Sequence, residues 1–312
     1  LFFASFLFLY RENIFQYLNP FTSMWRSSSL SFLKNDKPLV MAHRGNSSNV
    51  PENTLEAFRD AYELDCVDCL ETDVHLTKDE KFVFFHDPKV NRTTDGKKKK
   101  KNYTLNQLKE LDAGYAFEDE EGKYPYRGKG LKVQSVEDVV LEFPEVRFNM
   151  DIKSKNEKAP RLLAKLLEDL GMEYRVMVGS FWPKQVKRFR QYSTIPTSAS
   201  IWETWRFRKK AFKLIKQKRD LTKIAEDLTQ ESVFGNDLPY FALQIPEKLF
   251  FLRIIKGPAF LAFAHAMNIA VHVWTINEKE DMQRLLKWGV DGLFTDKPAL
   301  LIEIIDEMGY MN

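Results

Sequence analysis

Two short runs of the chain end in residues suited to acid–base chemistry. VMAHRG carries apolar side chains into His43 and Arg44, and Gly45 closes the run. FVFF, from Phe82 to Phe85, runs into His86 and Asp87. A core strand has no use for an imidazole beside a guanidinium, whereas a site that binds phosphate and moves a proton uses both. Between these runs, CLETDVH places Glu71 and Asp73 two residues apart. Residues i and i+2 of a strand share a face, so both carboxylates point the same way. Side by side and away from water they repel, and either one takes up a proton or both share a cation. His75 lies further along that face and is read as a supporting group. RFNMDIKS repeats the spacing with Asp151 and Lys153.

Three carboxylates without a thiolate suit a hard cation, Mg²⁺ or Ca²⁺, better than Zn²⁺. With two imidazoles and two basic side chains, the set matches the needs of phosphodiester cleavage. The cation, Arg44 and Lys153 would stabilise charge developing on the non-bridging oxygens. One histidine would take a proton from the attacking oxygen while the other protonates the leaving alkoxide. The competing reading of Glu71, Asp73, Asp151, Arg44 and Lys153 is a buried ion-pair network, which is costly to desolvate without a purpose.

These residues must be positioned by a regular frame. Strand-like runs fall at Leu39–Ala42, Cys69–Leu76, Phe82–Phe85, Val146–Ile152, Val176–Phe181, Thr197–Ile201, Tyr240–Ile245, Ala270–Ile276 and Gly292–Thr295. Helical patterns separate most of them, among them Thr54–Leu64, Ala159–Leu170, Lys279–Trp288 and Lys297–Glu307. Such alternation implies a parallel sheet with helical crossovers. About eight units over about 270 residues fit an α/β fold of the (β/α)₈ TIM-barrel type, whose sites lie at the strand C-terminal ends. A doubly wound open sheet is the alternative, but no G-x-G-x-x-G turn follows the first strand. The alternation breaks at about residues 88–133, an insertion carrying the lysine run DGKKKKKN, read as a solvated loop tip. It breaks again after Ile201, where Phe207, Ala211, Leu214 and Ile215 form the apolar stripe of a basic amphipathic helix begun by Trp202 and Trp205. That helix reads as an outer barrel helix or as a membrane-surface element. Thr295 and Asp296 end the last strand and read as a turn and cap ahead of Pro298.

Composition agrees with a globular chain: 312 residues, 44% hydrophobic and 29% charged. A net charge of +3, with no nucleic-acid motif, gives no case for a nucleic-acid partner. Cys66 and Cys69 form a single CxxC, too little for a disulfide framework or a zinc site, and read as ordinary small side chains. The first ten residues, LFFASFLFLY, carry no charge. Crossing a membrane takes about 20 residues. The segment therefore reads as part of a longer span, an anchor, or a helix packed under the barrel, which places the protein at a membrane or in the cytoplasm. Residues 1–37 are taken as this segment and a Ser-rich linker, and 38–312 as the barrel.

At the site residues the chain resembles the glycerophosphodiester phosphodiesterase family. HRG…PENTLEAF, LETDVHLTKDEKFVFFHDPKVNRTTDG, NMDIK and VHVWTINEKEDMQRLLKWGVDGLFTDKP follow that family's order and spacing over about residues 38–303. The resemblance implies a (β/α)₈ barrel with a small insertion after the second strand region. It implies hydrolysis of glycerophosphodiesters to sn-glycerol 3-phosphate and an alcohol with Ca²⁺ or Mg²⁺. It casts His43 and His86 as the acid–base pair, Arg44 and Lys153 as phosphate-binding cations, and Glu52 as a further active-site carboxylate. Trp274 becomes an aromatic wall, and Glu71, Asp73 and Asp151 the metal ligands. Asp151 departs from the usual glutamate, and Glu80 replaces a usual turn glycine. Some relatives are lysophospholipase D-type enzymes, so a lysophospholipid at a membrane surface is the alternative substrate. A barrel that binds phosphate or lipid without turnover is the second alternative.

Overall fold

The computed structural model describes residues 31–33, 35–97, 99–216, 238–249 and 252–311. β1 (Leu39–His43) pairs in parallel with β2 (Cys69–Leu76), which continues to β4 (Arg147–Ile152) and β5 (Val176–Gly179). On its other side β1 pairs with β10 (Gly292–Thr295), then β9 (Ala270–Trp274) and β6 (Ala242–Pro246). Parallel bridges Val178–Thr197 and Ser198–Ala242 join the two ends of this curled sheet through residues 197–198, the eighth stave. The fold is a (β/α)₈ barrel. β3 (Phe82–Phe84) is a ninth apolar run but not a stave: it returns antiparallel along β2. Its three apolar residues carry no mark that separates a hairpin return from a buried parallel strand. A two-stranded ribbon of β7 (Lys248–Leu249) and β8 (Leu252–Arg253) follows β6.

Local chemistry sets the helix ends. Thr54 begins the helix Leu55–Tyr62 by accepting a hydrogen bond from the Ala57 amide at 3.2 Å. Pro160, Pro183, Pro258 and Pro298 occupy first turns, where a missing N–H costs nothing. Gly289 ends Lys279–Trp288 in the left-handed region at φ 92°. Glu80, in place of a turn glycine, sits at φ 58°, a conformation glycine adopts without strain. Its carboxylate pairs with Lys158 at 2.5 Å.

The linker expected up to residue 37 gives way at Ser31–Leu33, a short 3₁₀ turn. Phe32 and Leu33 pack into the barrel interior with Leu39, Met41, Cys69 and Met177, and the Arg147 guanidinium holds the Phe32 carbonyl at 3.2 Å. Burying a side chain such as Phe32 stabilises by about 1.5–3 kcal/mol. Cys66 and Cys69 are both free, as ordinary side chains.

One expectation about membranes is corrected, and one open alternative is decided. Among the described residues no helix is long and apolar enough to cross a membrane, and residues 1–10 lie outside them, so nothing in the fold supports membrane association through that segment. The basic helix, Ile201–Lys216, spends its apolar face inside the protein. Phe207 packs edge-on against Phe260 and Phe263 with ring centroids 5.9 and 5.4 Å away. Leu214 and Ile215 lean on the same core, so this is an outer barrel helix.

Candidate active site

Strand register assembles the site. β1 pairs with β2 so that His43 lies beside Glu71, and β2 pairs with β4 so that Asp73 lies beside Asp151. His43 ends β1 and Asp151 lies next to the end of β4, while Glu71 and Asp73 sit mid-strand on β2, and all four face the barrel interior. They line a single cavity of about 1230 Å³ together with Arg44, His86, Lys153 and Trp274. Of the nine residues singled out from sequence, only Glu52 is absent from its wall. Asn149 and Gln244, joined at 2.6 Å, also line it.

The loop after β1 is tightly built. Gly45 has φ 87°, and a Cβ there would lie 2.6 Å from the Ala57 carbonyl carbon. Glycine is therefore required both for conformation and for the close approach to helix Leu55–Tyr62. Arg44 is itself left-handed at φ 60°, strain of the kind concentrated at functional sites. Asn53, at φ 59°, donates its amide to the Arg44 carbonyl at 3.0 Å, and its side chain accepts from Thr72 at 2.7 Å. PENT thus supplies Glu52 behind Arg44, Asn53 as anchor and Thr54 as helix cap.

Each histidine leans on a carboxylate. His43 Nδ1 donates to Asp296 Oδ1 at 2.6 Å, which leaves Nε2 free, 3.9 Å from Glu71 Oε2. Asp296 also accepts from Ser47 Oγ at 2.8 Å and from Asn277 Nδ2 at 2.6 Å. His86 Nδ1 donates to Asp87 Oδ1 at 2.8 Å, and His75 Nε2 donates to the His86 carbonyl at 2.9 Å. His75 thus supports the site by steadying His86. Asp296 corrects the reading of a turn and cap. Its signal was structural: Ala42 pairs with Thr295 across the closed barrel, so the next residue on each strand, His43 and Asp296, must meet.

Burial and charge divide the titrating groups. Burial disfavours charged His43, but Glu71 and the bond to Asp296 outweigh it, and its pKa rises above 6.5. Burial, with help from Arg44 and Lys153, takes His86 below that value despite Asp73 and Asp87. Burial and the neighbouring Asp73 charge push Glu71 up to about 7, with His43 opposing. Burial also works against charged Asp73, yet Lys153 and Arg44 hold it down at about 2. The repulsion expected between the paired carboxylates is resolved by this split.

Glu71 Oε2, Asp73 Oδ2 and Asp151 Oδ1 are buried and lack hydrogen-bond partners. Three unsatisfied carboxylate oxygens on one cavity are the donor type a hard cation takes. Among the described residues no three acidic, histidine or cysteine side chains converge into a ready-made metal cage. The Lys153 ammonium instead bridges Asp73 Oδ1 at 3.1 Å and Asp151 Oδ2 at 2.5 Å. Arg44 Nε lies 3.3 Å from Asp73 Oδ2 without hydrogen-bond alignment. Lys99 and Lys101, read as part of a solvated tip, line the cavity, and Lys99 is held by a bridge to Lys89.

Fold and site together define a barrel enzyme built to act on a phosphate group. The glycerophosphoryl diester phosphodiesterase family model matches residues 43–300, and the chain belongs to that family of phosphoric diester hydrolases. A glycerophosphodiester phosphodiesterase from Caldanaerobacter subterraneus subsp. tengcongensis is 32% identical over 285 residues, 88% of this chain and 100% of that protein. A lysophospholipase D from Rattus norvegicus is 26% identical over 293 residues, 86% of each. The structure of an Oleispira antarctica phosphodiesterase, in complex with the product sn-glycerol-3-phosphate, superposes with a TM-score of 0.64 at 23% identity. It covers 86% of this chain and 97% of that one.

Proposed function

We propose that the chain hydrolyses glycerophosphodiesters to sn-glycerol 3-phosphate and an alcohol, with His43 and His86 as the acid–base pair. The observation that carries this reading is that, of the three histidines lining one cavity, His43 and His86 each have Nδ1 tied to a carboxylate and the other ring nitrogen available. Asp296 and Asp87 fix the tautomers, and imidazole pKa values near neutrality suit proton transfer in both directions. Arg44 and Lys153 bind the phosphate oxygens, and Trp274 walls the substrate. The residues that would hold a cation, Mg²⁺ or Ca²⁺, are Glu71, Asp73 and Asp151 through their unpaired oxygens. When bound, it adds positive charge where the transition state gains negative charge. Product capture by the Oleispira antarctica relative supports the same product here.

A second reading concerns the glycerol side of the substrate, the part that keeps the phosphate while the alcohol leaves. The cavity exceeds the roughly 300–1,000 Å³ usual for small-ligand sites. Beyond the polar centre it is walled by Trp205, Ile201, Leu249, Ile254 and Trp274. That apolar wall suits an acyl chain, which favours a lysophospholipid and agrees with the Rattus norvegicus relative.

One assay separates these readings: choline release from glycerophosphocholine and from lysophosphatidylcholine, each with and without chelator. A preference for the lipid of about tenfold or more in kcat/KM, some 1.4 kcal/mol, rejects the first reading for the second. Full activity in chelator rejects the cation.

A further inference from the structure

Arg92 belongs to the insertion and lies outside the cavity wall, yet it touches the partners of two groups that line it. Its Nη1 and Nη2 donate to Glu52 Oε2 and Oε1, both at 2.7 Å, a bidentate fork. Its Nε donates to Asp87 Oδ2. Glu52 Oε1 also accepts from Arg44 Nη1 at 2.9 Å, and Asp87 Oδ1 faces His86 Nδ1 at 2.8 Å. One guanidinium therefore stands between the two carboxylates that orient Arg44 and His86.

We propose that Arg92 is a positioning residue that sets His86 and Arg44 in register through Asp87 and Glu52. The proposal rests on the roles given above to His86 and Arg44. Three arguments carry it. First, geometry: a planar fork satisfies two carboxylates at once along different edges, which an ammonium does not do. Second, charge: Glu52 keeps a permanent cationic partner in Arg92, so Arg44 is free to turn donors toward a substrate phosphate without leaving Glu52 unpaired. Third, delivery: the loop carrying Arg92 is pinned on both sides. Val90 is fully buried with Val83, Phe85 and Leu108, and Thr94, also buried, donates its hydroxyl to the Val90 carbonyl at 2.8 Å. The Asp112 amide ties Asp95 down at 3.1 Å. The Arg92 side chain itself is 45% exposed, and ion pairs at that exposure add little to stability. Its bidentate clamp is thus better matched to aiming the site than to holding the fold.

The test compares Arg92→Gln, Arg92→Lys, Asp87→Asn, Glu52→Gln and the double variant Asp87→Asn/Arg92→Gln, assayed on glycerophosphocholine with thermal melting in parallel. Arg92→Gln is expected to lose about 10–100-fold in kcat/KM, the scale seen for outer partners of active-site groups, with a near-native melting temperature. The loss should divide between a lower kcat, shared with Asp87→Asn, and a higher KM, shared with Glu52→Gln. Arg92→Lys should recover part of it, and added guanidinium should raise the activity of Arg92→Gln. In the double variant kcat should fall no further than in the worse single variant, because both act through His86. Kinetics of Arg92→Gln within about twofold of wild type, or multiplicative kcat losses in the double variant, would overturn the proposal. His86→Ala, run alongside, separates the two levels. Retained turnover there removes the catalytic reading and this proposal together, whereas lost turnover with a wild-type-like Arg92→Gln removes this proposal alone.

Discussion

The two histidine–aspartate pairs of the site are chemically alike and built differently. His43 and Asp296 come from adjacent staves at the barrel seam, 253 residues apart in sequence, and Asp296 is gripped by Ser47 and Asn277 as well. His86 and Asp87 are consecutive residues beyond β3, steadied from outside by Arg92 and His75. The side chain of His43 is 17% exposed and that of His86 35%. Burial lowers both imidazoles, but Glu71 and Asp296 outweigh it at the first and raise it, while at the second burial, with Arg44 and Lys153, outweighs Asp73 and Asp87. Position in the barrel, more than residue type, sets what each imidazole can do.

The largest expected effect comes from deleting either ring. His43→Ala and His86→Ala should each lower kcat by about 10²–10⁴, the usual share of general acid–base catalysis. Steady-state kinetics on glycerophosphocholine measures this, and an unchanged kcat in either variant removes that histidine from its role. The next effect divides the pairs. Asp296→Asn should cost more than Asp87→Asn, about 100-fold against about 10-fold, because Asp296 organises Ser47 and Asn277 along with His43. Equal losses would show that the extra bonds at the seam add nothing to function.

Much of this was written in the chain, for reasons that differ from residue to residue. The i, i+2 spacings of Glu71–Asp73 and Asp151–Lys153 survive folding because a strand cannot send them to different faces. His43 and His86 were visible as polar ends on apolar runs. Asp296 was hidden because its partner lies across the barrel seam, and local sequence offered a turn and cap as a sufficient account. Arg92 was hidden because it works at one remove, through carboxylates that orient the lining groups. Phe32 and Leu33 looked like linker because two apolar residues among serines show no period. The strand-like run Thr197–Ile201 pairs through residues 197–198 alone, because its β-branched end, Ile201, already opens the next helix.

Two smaller effects sharpen the comparison. In metal-free protein, ¹H–¹⁵N NMR should show His43 titrating above 6.5 and His86 below it; the reverse order would refute the electrostatic account. Acid stability should also depend on the seam. Burial opposes charged Asp296, but its bond to His43 holds its pKa at about 2, below the ordinary 3.8. A depressed carboxylate stabilises the fold above its unfolded pKa, and that contribution disappears as pH falls toward 2. Asp296→Asn should therefore lower the melting temperature at neutral pH and narrow the gap to wild type near pH 2. A gap independent of pH would contradict this.

The central claim is that one cavity cleaves a glycerophosphodiester with both histidines. Single-turnover hydrolysis of glycerophosphocholine, with sn-glycerol 3-phosphate quantified for wild type, His43→Ala and His86→Ala, tests it most directly. The account predicts equimolar choline and sn-glycerol 3-phosphate from wild type and a loss of about 10² or more from each variant. A wild-type rate in either variant, or no sn-glycerol 3-phosphate from the intact protein, would contradict it.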